Sequence, residues 1–251
     1  MDIIQTFYDS MAASYDKLFA DWQASAHSQA LILEKLFSAF GFDHGARVLD
    51  CACGIGTQSI GLAALGYDVT GSDISRAELE EARRRAEENG VKVRLARADF
   101  RALSLTFPEP FDIVVCMDNA LPHMLTAEDL KRAVESMIGQ LRPGGLFAAS
   151  IRDYDSLLES KPPYSPPYIH DTDGGRRVSF QTWDWQGENY RLRQYIIEDA
   201  AALTVSKFDC EYRATRRREL TELLLAAGCR TVAWKFPEET GFYQPIVTAL
   251  R

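Results

Sequence analysis

Positive charge is in short supply in this chain. Lysine and arginine total 28 against 36 aspartate and glutamate, a formal net charge of −8. Nucleic-acid enzymes need cations to neutralise phosphates, so this balance argues against a nucleic-acid partner. The run Arg213, Arg216, Arg217, Arg218 lies beside Glu219 and Glu222 and reads as the solvated first turns of a helix. Cysteine is sparse: Cys51, Cys53, Cys116, Cys210 and Cys229 form no Cys-x-x-Cys pair and have no histidine at zinc spacing. No metal site is expected, and five reduced, structural thiols favour the cytoplasm. No apolar run approaches the roughly 18 residues of a membrane span, and no charged leader with a long apolar core opens the chain. A soluble protein without a membrane partner is expected.

Apolar residues are plentiful by contrast. They make up 46% of 251 residues, enough for one α/β domain with an insertion or for two small domains. Residues 48 to 63 read Val-Leu-Asp-Cys-Ala-Cys-Gly-Ile-Gly-Thr-Gln-Ser-Ile-Gly-Leu-Ala: an apolar strand ends in Asp50, turns through Gly54 and Gly56, and enters a helix. A second strand ends in Asp73, 19 residues beyond Gly54. Glycines let the backbone approach a ligand, and a strand-end acid can hold a ribose hydroxyl pair. The dinucleotide fingerprint needs a third glycine, and Ser59 stands in its place, which points away from nicotinamide cofactors. Asp50 to Gly56 resembles motif I of class I S-adenosylmethionine-dependent methyltransferases, with Asp73 similar to their ribose-binding acid. The resemblance runs from about residue 45 to 150.

Residues 5 to 40 carry apolar positions at helical spacing, and Tyr8, Tyr15, Phe19 and Trp22 cluster ahead of them. Those rings either pin an N-terminal helix to the core or form a flap over a cationic ligand. Strands at 46–50, 67–72, 91–97, 111–117 and 146–151 alternate with helices at 57–65, 75–89 and 126–141. The alternation predicts a doubly wound, Rossmann-like parallel sheet. Lys161 to Pro167 predicts a stiff extended loop. Segments 177–185, 190–199 and 203–212 then predict a three-stranded antiparallel lid over the carboxyl edge of the sheet. Helix 216–227 and strands 230–236 and 244–250, the last antiparallel, bring the sheet to seven strands. The expected organisation is 1–151 for N-terminal helices and cofactor core, 152–215 for the lid inserted after strand five, and 216–251 for the closing elements.

Two segments present polar groups to the expected crevice. Asn119, after the fourth strand, can accept a hydrogen bond from an amine or donate one to a carboxylate, or can cap a turn with Asp118. His123 can touch a cofactor or satisfy a loop carbonyl. Arg152, after the fifth strand, can clamp a carboxylate in a bidentate fork or brace the lid hinge through Asp153 or Asp155. The segment lacks the Asp/Asn-Pro-Pro-Tyr/Phe motif of nucleic-acid amino-methylating enzymes.

Asn-Ala-Leu-Pro-His-Met (119–124), Leu-Arg-Pro-Gly-Gly-Leu (141–146) and Arg-Asp-Tyr-Asp (152–155) resemble the glycine and sarcosine N-methyltransferase family. The resemblance implies S-adenosylmethionine as cofactor and a small amine or amino acid as acceptor. It implies that Ala52 meets the methionine part, Gly54 and Gly56 shape the loop, Asp73 with Ile74 takes the ribose, and Asp99 with Phe100 the adenine. Met117 and His123 would line the pocket, with Tyr15 and Trp22 as the N-terminal aromatics. Asn119 would meet the acceptor and Arg152 its carboxylate. The family's N-terminal arginine is missing: residues 23–34 offer only His27 as a cation. Phe180 to Trp185 and Gly241 to Pro245 match no family feature. A small-molecule O- or C-methyltransferase with His123 as base, a non-catalytic cofactor sensor and a nicotinamide oxidoreductase are the alternatives. Oligomeric state is not readable.

Overall fold

The computed structural model describes residues 3–172, 174–199 and 202–251. Five segments form parallel strands: β1 (Arg47–Cys51), β2 (Asp68–Asp73), β3 (Arg94–Arg97), β4 (Phe111–Cys116) and β5 (Leu141–Ser150). With β10 (Thr231–Lys235) and β11 (Ile246–Leu250) they make one seven-stranded sheet in the order β10-β11-β5-β4-β1-β2-β3. β11 is antiparallel to both neighbours, as its short connection from β10 requires. Along β4, Val114 and Cys116 pack into the core on one face while Ile113 and Val115 pack into the other. Covering both faces is what makes these strands read as continuous apolar runs.

The covering helices are α3 (Thr57–Ala64), α4 (Arg76–Glu88) and α5 (Ala127–Gly139), joined by α2 (Trp22–Ser38) and α7 (Arg217–Ala226). Their starts are chemically marked: Ser75 accepts from Glu78 N–H (3.1 Å), and Thr126 from Asp129 N–H (3.1 Å). α3 packs on α2 through Gly61, where an added Cβ would lie 2.6 Å from the Ala26 carbonyl oxygen.

The expected helix over 5–40 is interrupted. α1 (Ile3–Met11) passes into a 3-10 segment, Ala12–Leu18, and α2 begins only after Asp21, whose side chain accepts from Ala24 N–H at 2.9 Å. Apolar periodicity alone did not register that cap. The expected strand 146–151 begins earlier, because Leu141 already pairs with Phe111 and the Arg142–Gly145 turn forms an irregularity within β5. A short helix, α6 (Tyr154–Ser160), follows β5; α8 (Pro237–Thr240) follows β10.

The lid is a second sheet of four strands, not three: β6 (Tyr168–Thr172), β7 (Gly175–Gln186), β8 (Asn189–Asp199) and β9 (Leu203–Arg213), antiparallel in that order. β6 has no alternation of its own and exists as an edge strand because β7 supplies its partner groups. The proline-rich loop is pinned beside β7, with Trp183 N–H donating to Pro163 O (2.8 Å) and Trp185 Nε1 to Pro162 O (2.9 Å). The lid's inner face is no separate layer: Trp183, Tyr190, Leu192, Cys210 and Tyr212 belong to the same buried cluster as Leu121, Met124 and Phe147. All five cysteines are buried and free. Among the described residues, no helix is long and apolar enough to cross a membrane.

Candidate cofactor and acceptor site

A crevice opens at the carboxyl ends of β1, β2 and β4. It is lined by Tyr15, Ala52, Gly54, Asp73, Ile74, Asp99, Phe100, Met117 and His123, all expected from the sequence. Ile4, Tyr8, Thr57, Gln58, Ala98, Arg101, Asp118, Ala120 and Met124 complete it, together with Cys53 and Ile55. Gly56 lies outside the lining at the N-cap of α3, with φ +91°. Trp22 stands behind the wall: its indole donates to Thr57 Oγ1 (3.0 Å), and the Arg85 guanidinium sits 4.4 Å above its ring. His27 is exposed, so α2 brings no cation to the crevice.

Asp73 bridges the glycine loop and the next helix. Oδ2 accepts from Gly54 N–H (3.0 Å) and Oδ1 from Ser75 N–H (2.8 Å). Burial pushes its carboxyl up to about 6, against those hydrogen bonds. Each oxygen keeps acceptor capacity, which suits a ribose diol. Glu78 is fully buried beneath Gly54, with neither carboxyl oxygen hydrogen-bonded among the described residues; burial raises it well above the usual carboxylate range. Beyond β3, burial would raise Asp99, but hydrogen bonds from Arg101 hold it below its ordinary value, closing an ion pair at 2.7 Å.

Backbone strain concentrates here. Ala52 (φ +62°), Asp118 (φ +56°) and Asn119 (φ +68°) occupy the left-handed region at the exits of β1 and β4. The turn at 118–119 is held by Ser150, whose Oγ accepts from Asp118 N–H (2.8 Å) and whose carbonyl accepts from Asn119 N–H (3.1 Å).

Asn119 and Arg152 lie on the lid side of the crevice. Asn119 Oδ1 accepts from Arg152 N–H (3.1 Å), while its Nδ2 is buried without a partner. The Arg152 guanidinium donates to Tyr190 Oη (2.9 Å) and Gln181 Oε1 (2.9 Å), and sits 5.1 Å from the Trp183 ring centroid and 5.6 Å from that of Tyr212. All of these partners are uncharged. The hinge acids are engaged elsewhere: Arg217 pairs with Asp153 and, at 3.3 Å, with Asp155. The brace is therefore built by Arg217, which leaves Arg152 without an acid among the described residues. It also corrects the reading of 213–218 as a solvated run, which holds for exposed Arg216 and Arg218 only.

His123 is buried between Tyr8 and Tyr212. Its Nε2 is 2.8 Å from Tyr8 Oη, and its ring lies 4.1 Å from that of Tyr212. Burial lowers it to about 3, so the imidazole is neutral.

The methyltransferase-domain family matches residues 48–145. Glycine/sarcosine N-methyltransferase of Parasynechococcus marenigrum (strain WH8102) is 33% identical over 156 residues, 62% of this chain and 54% of that protein. Glycine N-methyltransferase of Oryctolagus cuniculus is 30% identical over 208 residues, 73% of this chain and 70% of the relative. The chain belongs to the S-adenosylmethionine-dependent methyltransferases. A ubiquinone biosynthesis O-methyltransferase of Photorhabdus laumondii also matches, 29% identical over 138 residues, 55% of this chain and 56% of that protein. The chain spans about half the length of the Parasynechococcus relative and of two other glycine/sarcosine N-methyltransferases it matches. The fold is that of a solved S-adenosylmethionine-dependent methyltransferase from Clostridium acetobutylicum, with TM-score 0.73, 20% identity and 97% of each chain covered.

The crevice of this methyltransferase fits the family's cofactor. Its lining offers a buried acid, Asp73, that suits a ribose diol, an apolar ring, Phe100, beside the Arg101-paired Asp99 that suits a purine, and Tyr15 and Met117. Tyr8, one of the clustered N-terminal rings, is in the lining, whereas sequence reasoning missed Gln58 and Asp118 as lining residues. Gln58 sits at an unremarkable helix position, and Asp118 reads in the sequence as a turn cap.

Proposed function

We propose that this protein is an S-adenosylmethionine-dependent N-methyltransferase whose acceptor is a small amine bearing a carboxylate, in the class of glycine, sarcosine or a related amino acid. One observation carries the reading. Arg152 has only uncharged partners, and the orphaned Asn119 Nδ2 donor belongs to the side chain whose Oδ1 holds the Arg152 backbone. A guanidinium withdrawn from water calls for an anion, and a planar carboxylate matches its fork. The relatives named as glycine or glycine/sarcosine N-methyltransferases support the same acceptor class.

When bound, S-adenosylmethionine supplies an activated methyl group. The protein's task is to orient the acceptor and exclude water. Arg152 and Asn119 hold the carboxylate end. Trp183, Tyr190 and Tyr212 wall the space and keep it dry. Methyl transfer to nitrogen needs the neutral amine, and the proton it carries leaves to solvent before binding, so no strong base is required. Neutral His123 orders Tyr8 instead. O-methylation with His123 as base fares poorly, because an imidazole held to about 3 has little affinity for a proton.

The test is transfer of labelled methyl from S-adenosylmethionine to amino acids, to their N-methylated forms and to the decarboxylated analogue of each. Label on the carboxylates alone is the expected result. Equal transfer to the decarboxylated amines would overturn the clamp.

A further inference from the structure

The crevice contains a carboxyl group, Asp118, with which no cation among the described residues forms an ion pair. Asp118 lines it beside Ala52, Thr57 and Gln58, at the end away from Asp99 and Phe100. Its carboxylate is held by two neutral donors: Gln58 Nε2 to Oδ2 at 2.9 Å, and Tyr243 Oη to Oδ1 at 2.7 Å. Gln58 is itself fixed, whereas Tyr243 is an exposed ring stacked on Phe242. Gln58 Nε2 also donates to buried Gln29 Oε1 (2.6 Å), and Tyr243 reaches in from the loop between α8 and β11. No lysine, arginine or histidine among the described residues forms an ion pair with Asp118, and exposed His27 does not substitute for one. The residue accepts a left-handed backbone, φ +56°, to present this group. Strain of that kind persists where the surroundings over-determine it and clusters at ligand sites.

We propose that Asp118 is the counter-ion for the α-ammonium group of the cofactor's methionine end, and that Gln58 and Tyr243 are positioning residues that aim its carboxylate. The acceptor amine is the wrong occupant on chemical grounds. A carboxylate beside it would favour the protonated form, which has no lone pair to attack with. The cofactor's α-ammonium takes no part in the chemistry and gains from staying charged. The placement agrees, since Asp118 shares the crevice wall with the glycine loop whereas Asn119 and Arg152 stand outside it on the lid side. The inference rests on the S-adenosylmethionine reading and is independent of the acceptor's identity.

Calorimetric binding of S-adenosylhomocysteine is compared with that of its analogue lacking only the α-amino group, for the wild type, Asp118→Asn and Tyr243→Phe. Asp118→Asn should weaken S-adenosylhomocysteine by about tenfold or more, as expected for a charge-assisted hydrogen bond, and leave the deaminated analogue within about twofold. Tyr243→Phe should show the same selectivity at a few-fold. Equal weakening of both ligands, or of neither, overturns the proposal, and a rise confined to the acceptor's KM reassigns Asp118 to the acceptor. A wild type that binds no S-adenosylhomocysteine overturns the cofactor reading as well. Intact binding without turnover touches only the acceptor reading.

Discussion

Arg152 shows how a single residue acquires a role from its neighbours' commitments. Its charge is permanent, yet Asp153 and Asp155 are claimed by Arg217, so its surroundings are aromatic rings, hydroxyls and an amide. Replacement by lysine keeps the charge and loses the fork. Arg152→Lys should therefore raise the acceptor's KM by about tenfold or more while the cofactor's Kd stays within a few-fold; equal effects on both would reject the clamp. Two other residues give pH signatures of defined sign. Asp50 is fully buried, accepts one bond from Ser59 Oγ (2.6 Å), and burial raises it to about 7. The folded protein thus holds a proton that the unfolded chain releases above its ordinary pKa near 3.8. Stability from this group is full below that value and is lost as pH rises towards 7, by up to about 1.4 kcal/mol per pH unit. Thermal denaturation of Asp50→Asn between pH 4 and 7 should show a flatter profile than the wild type. Because His123 is neutral down to about 3, the activity profile should have no limb at the ordinary histidine value, which a kcat titration checks.

At the scale of elements, two joints decide whether the crevice is well formed. Gly61 lets α3 lie against α2, and a methyl there would meet a main-chain carbonyl oxygen at 2.6 Å, which has no flexible way to yield. Gly61→Ala should cost about 1–3 kcal/mol in chemical denaturation. The second joint is Arg217 between α6 and α7. Its ion pairs are partly exposed, so Arg217→Met should cost under about 1 kcal/mol of stability. The same change frees Asp153 and Asp155 next to Arg152, and the acceptor's KM should rise more than stability falls. Steady-state kinetics beside a denaturation curve separates these effects. Most helices and strands were legible in the sequence, since periodicity and capping residues are local. The joints were not, because Gly61 looks like an ordinary helix residue and Arg217 like one member of a basic run.

Across the whole molecule, the lid and the sheet share one buried cluster, so ligand held between them should couple to global unfolding. S-adenosylhomocysteine at about 100 times its Kd should add about 2.7 kcal/mol to the free energy of unfolding, visible as a rise in Tm. NADH should leave Tm unchanged, as the absence of a third glycine at Ser59 implies.

The sequence by itself determined the doubly wound sheet, the antiparallel last strand, the glycine loop and the two strand-end acids, because each is written in a short contiguous segment. It also marked Asn119 and Arg152 as candidate groups for the acceptor. Only the tertiary structure decided which partners each has. Arg217 relieves Arg152 of the brace from some 60 positions away, Tyr243 and Gln58 aim Asp118 from opposite ends of the chain, and the lid buries His123 into neutrality. A side chain's chemistry depends on its partners and its distance from water, and those are set by residues that local pattern does not connect.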